Sequence, residues 1–201
     1  EIEVYETRQT LTKVIGEKEY AYTYDTSGRL EKLTQSRIET QELGLTNLAR
    51  TAAASASSQF TGYEASKAVD GMSPAQAYGW IATNPNGIND SLVLDLGKPV
   101  TIDRINYDTR YGPQYLTSIW QRGFKIAVSK DGVIWTEVVS RTNQTGPQVY
   151  EFQITPVQAR YLKVYEIDST WTADPNWHYA YVNEIEVYET RQTLTKVIGE
   201  K

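Results

Sequence analysis

The block EIEVYETRQTLTKVIGEK stands at residues 1–18 and again, letter for letter, at residues 184–201. Chance does not produce an identity of that length, so the chain carries a duplicated segment. Its period of 183 residues (184 − 1) is far longer than the roughly 20–50 residues of a solenoid repeat. It is the size of one ordinary domain plus a connector. The chain is therefore expected to be a fragment of a longer tandem array without its original N-terminus. Residues 1–18 would be the tail of a preceding repeat, and residues 191–201 the start of the next connector.

What lies between the copies must supply a core, and a 40% hydrophobic, 22% charged composition suits a soluble globular protein. A net charge of −5 argues against nucleic acid as a partner, because binding phosphate needs a clustered basic excess. No apolar run approaches the roughly 20 residues of a membrane span. Cysteine is absent and histidine occurs once, at His178, which removes thiolate nucleophiles and multi-histidine zinc sites. Tyr (15) and Trp (5) outnumber Phe (3), so most aromatic rings carry a polar handle suited to half-wet binding faces. Tyr is also a good strand former.

The segments at 91–97, 100–110, 123–129, 133–139, 149–154, 159–167 and 181–189 alternate apolar and polar residues. The turn signals GK, SKDG, TNQTG and ITP divide them, so the chain is expected to be all-β, a sandwich or a barrel. EASKAVDG at 64–71 predicts one helical turn ending at Gly71. Residues 19–44 differ: Tyr20, Tyr22 and Tyr24 alternate onto one strand face, and DTSG makes a tight turn. Here a β-hairpin connector is expected. It resembles the tyrosine-aspartate (Rhs-type) repeat of bacterial surface proteins through Tyr22, Tyr24, Asp25, Gly28, Arg29 and Leu30.

Five ordered pieces, NLARTAAASASSQFTGYEASKAVDG, LVLDLGKPVTIDRINYDTR, FKIAVSKDGVIWTEV, ARYLKVY and VNEIEVYE, resemble the discoidin family. This is also called the coagulation factor V/VIII C-type domain, many of whose bacterial members are carbohydrate-binding modules of family 32. The resemblance covers about residues 45–190 and implies an eight-stranded jelly-roll β-sandwich whose final strand is EIEVYE. The copy at 184–189 would complete this domain. The copy at 1–6 would be the last strand of an absent domain, seeking a substitute sheet edge and so promoting self-association.

The resemblance also implies a structural calcium ion held by Asp70, Glu184 and the backbone carbonyls of Lys67, Met72 and Ser73. It further implies a glycan or polysaccharide as partner, bound by loops at one end of the sandwich. The candidate contacts are Tyr63, Arg110, Tyr111, Trp120, Trp171, Asn176, Trp177 and His178. Aromatic rings would cover the apolar face of a pyranose while planar donors and acceptors take its hydroxyls. Trp135, in SKDGVIW, is expected in the core, with Trp80 packing under its loop. No nucleophile elbow or phosphate loop is present, and a small sandwich lacks the deep cleft that catalysis favours. The expected function is that of a non-catalytic carbohydrate-binding module repeated in a secreted or surface bacterial protein. The alternative is an adhesion or spacer repeat that binds no glycan.

Overall fold

Alternating apolar and polar residues, rich in Val, Ile, Thr and Tyr, give strands wherever one face can be buried. In chain order the strands are β1 (Gln9–Ile15), β2 (Lys18–Tyr24), β3 (Leu30–Glu42), β4 (Ala53–Ala56), β5 (Trp80–Ile81), β6 (Leu92–Asp108), β7 (Arg110–Tyr111), β8 (Tyr115–Ser129), β9 (Thr136–Arg141), β10 (Val149–Trp171), β11 (Tyr181–Val182), β12 (Glu184–Glu189) and β13 (Thr193–Gly199). The computed structural model describes residues 9–15, 18–42, 46–85, 87–174, 176–189 and 193–199. It divides into two units, one from Leu45 to Thr190 and a smaller one formed by the two ends of the chain.

The smaller unit is an antiparallel sheet in the order β1-β2-β3-β13. The expected hairpin is there. Asp25 holds its turn, its Oδ1 accepting the N–H groups of Ser27 and Arg29 at 2.9 Å each, and Gly28 supplies the left-handed step at φ +79. Both flanks of the hairpin are taken by the repeated segment, the first copy pairing with β2 and the second with β3. Residues 1–6, expected to seek a substitute edge, lie outside the described residues.

The larger unit is a β-sandwich domain. Its main sheet runs β12-β6-β10-β8-β7, with β4 on β6 and β9 on β8, and β11 pairs with β5 in a separate two-stranded piece. Alternate residues of β6, β8, β10 and β12 close the core, among them Leu92, Leu94, Ile105, Ile126, Leu162, Val164, Ile185 and Val187. Each such side chain contributes about 1.5–3 kcal/mol on burial. Bulges let expected strands merge: 149–154 and 159–167 form one bent β10, with register shifts after Gln153 and Ala159. The 3₁₀ turn Ala65–Val69 is the helical turn expected at 64–71.

One expectation is corrected by the turn before β9. Asp131 Oδ1 accepts the N–H groups of Val133 and Ile134 at 2.8 and 2.9 Å, which holds this stretch out of the ladder. The strand starts only at Thr136, and Val133 and Ile134 are left 78% and 74% exposed. Trp135 is half-buried rather than core, its ring lying under Lys163 Nζ at 4.6 Å. Trp80, by contrast, is fully buried and donates its indole N–H to the Ser58 carbonyl at 2.8 Å.

Candidate functional site

At one end of the sandwich the loops after β4, around β7 and before β11 bring aromatic side chains together. Tyr111 is the hub. Its ring meets Trp177 at 5.1 Å, Tyr181 at 4.8 Å and Tyr78 at 5.3 Å, all edge to face. Such pairs add about 0.5–1.5 kcal/mol each beyond burial. Trp177 continues to Tyr179 at 5.5 Å, and Tyr179 to Phe60 at 5.8 Å. The arrangement leaves a cleft of about 280 Å³ lined by Phe60, Tyr63, Ile81, Tyr111, Trp177 and Tyr179. None of these side chains is charged. Burial pushes the Tyr111 phenol well up, so it stays neutral and can both donate and accept a hydrogen bond.

Polar groups beneath hold this end rigid. The buried Asn183, at the junction of β11 and β12, accepts the N–H groups of Gly79 and Gly112 on its Oδ1 at 3.1 and 3.3 Å. It thereby ties two cleft loops together. Gly112 has φ +44, and a Cβ there would run into the Tyr78 ring. Gln121 accepts the Tyr107 hydroxyl at 2.9 Å and donates to the Tyr181 carbonyl at 2.6 Å, while the Tyr181 hydroxyl reaches the Thr109 carbonyl at 2.6 Å. Gln121→Met is expected to cost about 1–2 kcal/mol by orphaning a buried hydroxyl and a carbonyl. A denaturant titration that moved by less than half of this would remove the network from the account.

The sequence-predicted contacts fall into groups. Tyr63, Tyr111 and Trp177 line the cleft. Trp171 packs behind it against Tyr115 at 5.8 Å, and the exposed Asn176 sits in a turn whose N–H is accepted by Asp174 Oδ1 at 3.0 Å. Arg110 is turned away, its guanidinium gripping Asp108 through Nε at 2.9 Å and Nη2 at 2.5 Å. The Trp120 indole donates to the Gln144 carbonyl at 3.3 Å. His178 places Nδ1 3.0 Å from the Ser169 carbonyl and 3.8 Å from the Asp168 carboxylate, which also accepts from Arg122. Phe60, Ile81, Tyr179 and Asn183 were not singled out from sequence. Period-two spacing in PNWHYAY contained the signal for Tyr179, since Trp177, Tyr179 and Tyr181 share one face while His178 takes the other.

A second feature joins the 70–73 loop to β12. The Gly71 N–H lies 3.2 Å from both carboxylate oxygens of Glu184, and Asp70 Oδ1 accepts the Met72 N–H at 2.8 Å. Burial first, then the neighbouring Asp70 and Glu186 carboxylates, push Glu184 up to about 8. Among the carbonyls expected to join these acids, that of Ser73 already accepts the N–H groups of Gln76 and Ala77. That of Lys67 lies within the 3₁₀ turn. Among the described residues no three His, Cys, Asp or Glu side chains converge on one point. A cation here would draw on two carboxylates and on carbonyl oxygens, the donor set of a hard ion.

The F5/8 type C domain family model matches residues 53–185. No curated protein matches the chain. Among solved structures, chitosan-binding module 1 of a chitosanase/glucanase from Paenibacillus sp. IK-5 is 28% identical, with a TM-score of 0.53 over 71% of this chain and 98% of that one. The family 32 carbohydrate-binding module of Clostridium perfringens NanJ, solved with galactose, is 21% identical, with a TM-score of 0.57 over 73% of this chain and all 100% of the other. A further C. perfringens module, CpGH89CBM32-5, solved with GalNAc-beta-1,3-galactose, is 18% identical with a TM-score of 0.53, over 72% and 99% of the two chains.

Proposed function

The chain belongs to the F5/8 type C domain family, and we propose that it is a non-catalytic carbohydrate-binding module that holds a sugar in the aromatic cleft. The observation that carries this is the uncharged cleft of about 280 Å³ walled by Tyr63, Tyr111 and Trp177. Its rings offer flat apolar surface to the C–H face of a pyranose, and its tyrosine hydroxyls offer donors and acceptors to the ring hydroxyls. Likeness to a chitosan-binding module at 28% identity makes glucosamine polymers the first ligand class to try, with galactose-terminated glycans second.

Calcium is the cofactor we propose for the Asp70–Glu184 pair, in a structural role. The module would be one unit of a tandem array in a secreted or surface-displayed bacterial protein. There linked copies gain avidity through effective concentration. A glycan array probed with the labelled full chain in calcium buffer is expected to give signal on one of these classes. A folded sample silent across the array would overturn the assignment and leave an adhesion or spacer repeat.

A further inference from the structure

The sheet made from the chain's two ends has a symmetry that follows from the repeat. Ile15 stands opposite Lys18, Lys18 opposite Arg37, and Arg37 opposite Ile198. Ile198 is Ile15 one period later (198 − 183 = 15), so this row of the sheet begins and ends on the same residue of the repeat. All three pairings are antiparallel, so β1 and β13 run in opposite directions. The two copies are therefore related by a local two-fold axis perpendicular to the sheet. Each turns the same backbone edge inward, and each leaves the same edge outward.

Among the described residues both outward edges end the sheet. A strand edge is a row of unpaired N–H and C=O groups that another strand can take up. Its segment, TLTKVI, is rich in β-branched residues, contains no Pro and carries one charge. The same segment already forms ladders with two unrelated sequences, KEYAYTY on one side and the end of LEKLTQSRIETQE on the other. The backbone of this segment thus pairs with more than one partner sequence. Every molecule supplies two identical, antiparallel-compatible edges at equal concentration.

We propose that copies of this chain join edge to edge through the repeated strand, Gln9–Ile15 or Thr193–Gly199 of one copy pairing antiparallel with the same segment of the next. Two equivalent edges on each copy make the assembly open-ended rather than a closed dimer. Copies joined this way would present several sugar clefts together, but the joining itself needs no sugar.

The test is sedimentation equilibrium of the full chain over a wide concentration series without glycan. The weight-average mass is expected to rise past that of a dimer with no plateau. A synthetic peptide of residues 192–199 in excess is expected to occupy the edges and return the mass to that of a single chain, whereas a scrambled peptide leaves it high. A single-chain mass at every concentration, or association that the peptide does not reduce, overturns the proposal. Because the peptide acts on the unaltered protein, no outcome depends on whether a variant folds.

Discussion

Trp177→Ala is expected to weaken binding of whatever glycan the array identifies by about thirtyfold or more, the about 2 kcal/mol typical of a central aromatic contact. Trp177 both walls the cleft and packs edge to face on Tyr111, so its loss removes a sugar platform and loosens the hub residue. His178→Ala serves as the comparison. It is the adjacent residue, its ring is engaged with the Ser169 carbonyl, and its affinity should stay within about twofold of wild type. Isothermal titration calorimetry separates the two outcomes, with a thermal melt confirming that both variants fold. Equal loss in both variants would mean that the whole loop rather than the cleft carries binding. No loss in Trp177→Ala would move the site elsewhere.

The strands and the aromatic loop were legible in the sequence, whereas the bulges and the convergence of the rings were not. Strands announced themselves, because burial on one face forces alternation and the turn residues have their own chemistry. Merged strands did not, since GK and ITP look like turns, yet β6 runs through Gly97 and Lys98 and β10 takes up Pro156 in the bulge after Gln153. The aromatic richness of the 171–179 loop was visible, but not which rings converge. Arg110 and Tyr111 are neighbours on a short strand whose register shifts between them, so simple alternation does not say which of the two faces the cleft. Tyr111 lines it, while Arg110 is held by Asp108. Asn183 was invisible because its task, receiving two N–H groups from loops 71 and 104 residues away in sequence, exists only once the chain is folded. Trp135 misled because an apolar run, VIW, looked like a strand start, while Asp131 had already committed the backbone to a turn.

Removal of calcium is expected to lower the melting temperature of the domain by about 5–10 °C. An ion held at about a hundredfold above its dissociation constant contributes about 2.7 kcal/mol, and a domain of this size moves about 2–4 °C per kcal/mol. Glu184→Gln should abolish that response, because an amide keeps the shape but cannot supply the charge that calcium requires. The same variant has a second signature in chelator. The Glu184 pKa is raised from 4.5 to about 8, so the native state holds this proton more tightly than the unfolded chain. Stability from this group is fully present below pH 4.5, falls as pH rises and is lost above about 8. Wild type in chelator should therefore lose stability between those values, while Glu184→Gln should not. Adding calcium at pH 8 should restore the wild type alone. Glu184→Gln responding to calcium like wild type, or a wild type indifferent to chelator at pH 8, would show that the Asp70–Glu184 pair holds no ion.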